Sequence, residues 1–183
     1  LDREEIAADI ERNMDELLTR SEIFGIIYAE IDDYDDIRHR FDRASSEEIL
    51  GSVERTLESN IGPRDRVGRW SENAFVIVLD VMNENTLEEL SKKLKMLVAS
   101  AFVMADKEKV AVTISTGATL ARNTDTVDKI VERSRKLSRI SSAFGTTVQS
   151  YRSEPDEDKT EEVEKKKAPV KKKRAKKKPK KPA

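Results

Sequence analysis

Five consecutive apolar residues, Phe75-Val-Ile-Val-Leu79, follow a tight polar turn, Ser71-Glu72-Asn73-Ala74. A short unbroken run of this kind, bounded by turn residues, is the pattern of a buried central strand. Val67, Arg69 and Trp70 lead into the turn from the other side, so residues 66–80 read as a hairpin. A buried hairpin strand needs a sheet around it and helices on that sheet. The polar tip beside such a strand is a natural place for a site.

The flanking sequence supplies the layers. Ile6, Ile10, Met14, Leu17 and Leu18 recur at spacings of three and four, an amphipathic helix over residues 2–20 that either lies on the domain or continues a connector. Residues 23–31 (IFGIIYAEI) read as a second buried strand, ending in Glu30, Asp32 and Asp33. A short helix comes next, with Tyr34, Ile37 and Phe41 inward. Ser45 and Glu48 have capping-box spacing ahead of Ile49, Val53, Leu57 and Ile61. Gly62-Pro63 stops that helix. Beyond the hairpin, residues 84–104 read as a helix with Leu87, Leu90, Leu94, Leu97 and Val98 inward. Residues 109–120 read as a strand and residues 126–143 as a helix through Val127, Ile130, Val131, Leu137 and Ile140. A last edge strand is expected at 147–151. The order α-β-α-α-β-β-α-β-α-β predicts an α/β (α+β) domain: a mixed, mainly antiparallel sheet flanked by helices. Residues 1–20 form an amphipathic or connector helix, 21–151 the domain, and 152–183 a tail.

Charge separates the tail from the rest. The net charge is −1, yet residues 165–183 carry +12, residues 152–164 carry −5 and residues 1–151 carry −8. Lysine runs broken by Pro169, Pro179 and Pro182 cannot bury enough apolar surface to offset chain entropy, so the tail is expected to be disordered. Twelve cations without an aromatic residue suit non-specific contact with nucleic-acid phosphates or an anionic membrane, or serve only to solubilise the chain. The absence of cysteine excludes disulfides, thiolate metal sites and a cysteine nucleophile. No run approaches the roughly 20 apolar residues that span a bilayer, so a cytoplasmic location is expected, including as the cytoplasmic part of a larger membrane or sensor protein.

Three segments resemble the GGDEF family, the diguanylate cyclases, over residues 20–150. Glu30-Ile-Asp-Asp-Tyr34, through to Glu47-Glu-Ile-Leu50, is similar to the family's Asp-Ile-Asp-x-Phe-Lys stretch with its later Asn-Asp and Gly-Asp-x-x-Leu. Residues 65–75 (DRVGRWSENAF) resemble Asp-x-x-x-Arg-Tyr-Gly-Gly-Asp/Glu-Glu-Phe, and residues 112–118 (VTISTGA) the Val-Thr-x-Ser-x-Gly strand. The resemblance implies a fold like a polymerase palm. In active members two such domains, each holding a GTP, meet face to face and make cyclic di-GMP, with divalent ions bridging phosphates to carboxylates.

Position by position, that resemblance places the chain among degenerate members. Glu30 takes the first metal position with a longer arm. Of the hairpin motif only Phe75 remains: Ser71 and Glu72 replace the glycines, Asn73 the metal carboxylate and Ala74 the following Glu. A neutral amide is a poor partner for a hard dication. Glu72 replaces the lost ligand only if the turn slips by one residue, which would point it to the other face. Asp35 stands at a lysine position on the phosphate side, and Ser142 and Thr146 align with a lysine and an arginine there. Arg38 replaces the guanine-binding Asn, while Glu47 stands in for the guanine-binding Asp. The inhibitory Arg-x-x-Asp site keeps Asp65 but has Gly62 at the arginine position, with Arg64 out of register. His39 lacks acid–base partners and reads as a surface residue, and Trp70 as packing.

The expectation is therefore a catalytically inactive GGDEF domain with a regulatory role, through a protein partner or a homodimer. One alternative is a non-catalytic module binding GTP or cyclic di-GMP, with Arg38 and Glu47 on the nucleotide. The other is an electrostatic adaptor acting through residues 165–183. No cofactor is expected, magnesium entering only with a retained nucleotide.

Overall fold

The computed structural model describes residues 1–150 except 82, 106 and 145–148, and for residues 142–150 the backbone only. The expected tail and acidic stretch, together with Thr146, Thr147, Val148 and Tyr151, lie outside the described residues.

The chain runs α1 (Arg3–Arg20), β1 (Gly25–Ile31), α2 (Tyr34–Arg40), α3 (Arg43–Glu58), β2 (Arg66–Ser71), β3 (Ala74–Leu79), α4 (Glu84–Ser100), β4 (Val103–Ala105), β5 (Glu108–Val110), β6 (Ile114–Leu120), α5 (Val127–Phe144) and β7 (Gln149–Ser150). Five strands form one sheet in the order β2-β3-β1-β6-β7. All neighbours are antiparallel except β6 and β7. The expected mixed, mainly antiparallel sheet flanked by helices is what the chain forms.

Strand alternation builds two cores from one sheet. Ile27, Ala29, Ile31, Phe75, Ile77 and Leu79 face one layer, packing with α3 and α4. Ile26, Tyr28, Ala74, Val76 and Val78 face the other, with α1 and the start of α5. Every residue of β3 is buried, which is why its sequence is an unbroken apolar run. Two glycines set how closely helices approach. A Cβ at Gly68 would lie 2.6 Å from the Ile6 Cβ, so α1 sits directly on β2. A Cβ at Gly117 would lie 2.0 Å from the Ser134 carbonyl oxygen, so α5 rests its backbone on β6. The helix read as a domain layer or a connector is thus a layer here, capped by Asp2 and Glu5 in a reciprocal capping box.

Four local expectations are corrected. α3 is capped by Asp42, whose carboxylate accepts from the Ser45 amide at 2.7 Å, so Ser45 is inside the helix and does not cap it. α4 ends at Ser100, and the sequence to Val110 turns back as a separate two-stranded hairpin, β4–β5. The expected strand over 109–120 is therefore two strands, and the order gains a hairpin. Leu18 and Ile140 are exposed, because each lies one position beyond the buried stripe of its helix. Among the described residues no helix is long and apolar enough to cross a membrane.

At the junction of β6 and α5, Arg133 donates to both Asp125 carboxylate oxygens (2.7 and 2.6 Å), to the Thr119 hydroxyl (3.0 Å) and to the Leu120 carbonyl (3.1 Å). Asp125 also accepts from the Arg122 amide at 2.9 Å. Both side chains are largely buried, so each depends on the other.

Candidate functional site

Antiparallel register brings three strand ends together at one edge of the sheet. Glu30, at the end of β1, lies opposite Ala74 on β3 and Ser115 on β6. The β2–β3 turn, Glu72-Asn73, closes over it, and the Ile31 amide donates to the Asn73 carbonyl at 2.9 Å. The Asn73 side-chain amide donates to Glu30 Oε1 at 3.2 Å, while its carbonyl oxygen accepts from the Ser71 hydroxyl at 3.1 Å. These two bonds orient the amide with its N–H groups toward the carboxylate. Tyr28 lies beside this network; its pKa is raised by burial and by the charge of Glu30, against a hydrogen bond from Ser71.

Two open clefts flank the turn. The first, about 690 Å³, is lined by Tyr34, Arg38, Phe41, Glu47, Arg69 and Glu72. Its charges are paired across it. Arg38 meets Glu72 at 2.9 Å, and Arg69 forks onto Glu47 at 2.8 and 3.3 Å. The Arg69 hydrogen bonds hold the Glu47 carboxyl below its usual range, and Glu47 in turn raises the Arg69 guanidinium. Burial raises the Tyr34 hydroxyl, with Glu72 adding to it. The second cleft, about 710 Å³, is lined by Glu30, Asp32, Asp33, Asp35, Asp36 and Arg139 among others. Asp32 is committed to the fold there, accepting from the Thr113 and Ser115 hydroxyls at 2.6 Å each.

Several residues singled out in the sequence are therefore brought together: Glu30 with Asn73 and Ser71, Arg38 with Glu72, and Glu47 with the first cleft. The Glu72 carboxylate is turned to Arg38 and not to Glu30. His39 is exposed and its ring Nδ1 lies 2.6 Å from the Asp35 carbonyl, one turn back on α2. Trp70 is half-buried, with the Arg3 guanidinium 4.7 Å above its ring. Asp65 holds its own loop, accepting from the Gly62 amide (2.6 Å) and the Asp80 amide (2.9 Å), while Arg64 reaches Asp80. The side chain of Ser142 and the whole of Thr146 lie outside the described residues. Arg69 and Arg139 were missed in the sequence. Arg139 follows Arg135 by four residues on α5, a spacing that puts both on one side of the helix and is visible in the sequence.

At the expected metal position the donor set is small. Glu30 is one carboxylate, the second position is an amide already bonded to it, and among the described residues no three carboxylate or imidazole groups converge on a point.

The sequence matches the family profile described as "Diguanylate cyclase, GGDEF domain" over residues 1–140. The chain belongs to the GGDEF family. The fold of this GGDEF domain is also that of solved relatives. The GGDEF domain of DgcB from Caulobacter crescentus, in complex with c-di-GMP, superposes with a TM-score of 0.76 at 14% identity, over 83% of this chain and 89% of that one. The active GGEEF domain of a diguanylate cyclase from Vibrio cholerae gives 0.74 at 19% identity, over 84% and 98%. The diguanylate cyclase SiaD from Pseudomonas aeruginosa, in complex with its activator SiaC, gives 0.77 at 17% identity, over 82% of this chain and 58% of SiaD. No curated protein matches the sequence.

Proposed function

We propose that this GGDEF domain has lost diguanylate cyclase activity and serves in signalling as a regulatory, non-catalytic module. One observation carries the reading: the Asn73 amide donates to Glu30 at the place where the family's chemistry needs two carboxylates around a dication. A dication there would face an N–H group and one charge in place of two, losing most of its binding energy. The acidic second cleft opposes a triphosphate as well, since like charges at ~4 Å cost roughly 4 kcal/mol each at an effective dielectric near 20. The full chain, incubated with GTP and magnesium, is expected to give no cyclic di-GMP by chromatography; product above the no-enzyme control overturns the proposal. SiaD was solved with a protein activator, which supports a protein partner or a second copy as the contact through which such a module works. A cytoplasmic setting goes with this proposal.

The open first cleft favours a second reading, retained binding of GTP or of cyclic di-GMP without turnover. DgcB was solved with c-di-GMP bound. Against it, Arg38 and Glu47, the two groups that would meet a base, are each paired with a hairpin or strand residue. Exposed pairs of this kind are worth only about 0.2–1 kcal/mol, so a ligand could displace them. Calorimetry with each nucleotide decides between the readings, and heat with either one establishes the second.

A further inference from the structure

Two ion pairs cross the first cleft, and both tie the β2–β3 hairpin to the helices opposite. Arg38 Nη1 on α2 lies 2.9 Å from each carboxylate oxygen of Glu72, at the tip of the turn. Arg69 on β2 donates through Nη1 and Nη2 to the two Glu47 oxygens on α3, at 2.8 and 3.3 Å. Its Nη2 also reaches the Glu72 carbonyl at 3.4 Å, so one guanidinium meets both α3 and the turn. Burial raises the Tyr34 hydroxyl, and then all four charges act on it: Glu72 and Glu47 raise it further, while Arg69 and Arg38 lower it. The four groups therefore surround one spot on the cleft wall, where two guanidiniums and two carboxylates cancel.

These pairs supply the cleft with the hydrogen-bonding pattern of a guanine base. Guanine offers two adjacent acceptors, O6 and N7, on one edge, and N–H donors at N1 and the exocyclic N2 on another. A carboxylate on an arginine presents the same two acceptors, and a guanidinium fork on a carboxylate presents the same two donors. We propose that Glu72 is a built-in competitor for a guanine nucleotide: its carboxylate occupies Arg38 in place of the O6–N7 edge, while Arg69 occupies Glu47 in place of the N1–N2 edge. The inference rests on the second reading above, retained nucleotide binding without turnover. Glu72 is the arm that leaves. Its side chain is 61% exposed and stands on a turn, whereas Arg69 is 31% exposed and sits within a strand. Departure of Glu72 frees Arg38 and takes one negative charge away from an anionic ligand. Adenine, with an amino donor beside its N7, does not match Arg38 in this way, so the competition is selective for the base.

Calorimetric titration of the full chain with GTP, and with ATP as the control, tests it. The lysines of residues 165–183 meet both triphosphates alike, so the difference between the two reports the cleft. Glu72→Ala should tighten GTP binding by about threefold, within what an exposed ion pair can withhold, and leave ATP unchanged. The gain should depend on Arg38: in the Arg38→Gln background the same Glu72→Ala change should give none. An equal gain for ATP, or a gain that persists without Arg38, overturns the proposal, since either makes Glu72 a bulk charge only. Unchanged GTP binding in Glu72→Ala also overturns it and leaves the second reading standing. No heat with GTP from either the unmodified chain or Glu72→Ala overturns both.

Discussion

Two arginine–carboxylate systems hold opposite ends of this domain, and they differ in burial more than in geometry. At the β6–α5 junction, Arg133 and Asp125 are 15% and 4% exposed and each guanidinium nitrogen donates to a partner. At the hairpin tip, Arg69–Glu47 and Arg38–Glu72 have similar distances but between a third and two thirds of each side chain in solvent. A buried charge without its partner has no water to fall back on, whereas an exposed one simply rehydrates. The junction is thus part of what specifies the fold, and the tip is a surface on which residues can change while the fold persists.

The sharpest way to break the comparison is to remove one carboxylate from each system. Asp125→Ala should destabilise the domain by about 3–5 kcal/mol in urea titrations, because Arg133 and the Arg122 amide are left without their acceptor. A loss below about 1 kcal/mol would mean that water reaches the junction and that the two ends do not differ in kind.

A smaller effect tests the tip. Asn73→Asp restores a carboxylate beside Glu30 and exchanges a hydrogen bond for repulsion, at a cost of about 1–2 kcal/mol in EDTA. Millimolar magnesium should recover part of that loss in the variant and leave the unmodified domain unchanged. Equal magnesium responses in thermal melts would show that the amide was never the obstacle.

The same contrast explains what was legible in the sequence. Period and apolar content located the helices and central strands because burial on one or both faces writes itself directly into residue type, as in residues 75–79. The β4–β5 hairpin was missed because three-residue strands are too short to show alternation, and its outward residues, Phe102 and Met104, are apolar like the inward ones. At α3 the capping-box spacing of Ser45 and Glu48 points to the wrong cap, because Asp42, three residues earlier, caps equally well. That residues 71–74 differ from the family motif is visible in the sequence. The partners around the turn are not: that Arg69 forks onto Glu47, and that Glu72 turns to Arg38, depends on separations of 22 and 34 residues that only the folded sheet brings together.

The smallest effect carries its own pH signature. Glu47→Gln removes the charge that Arg69 holds, and exposure limits the cost to below about 1 kcal/mol after screening. Arg69 lowers the folded-state carboxyl relative to the usual 4.5. A depressed carboxyl contributes stability that is fully present above its unfolded value and is lost as pH falls through the folded one. The difference between the unmodified domain and the Glu47→Gln variant should therefore be constant from neutral pH down to about 5 and shrink below 4.5. Arg69→Gln should remove the same increment, and the double variant should cost less than the sum of the two single ones. If the difference instead stays flat below pH 4, the Glu47 carboxyl is not held by Arg69, and the first cleft carries a free acid on its wall. That result would return Glu47 to the nucleotide-binding reading, because an unpaired carboxylate is what a guanine edge needs to find there.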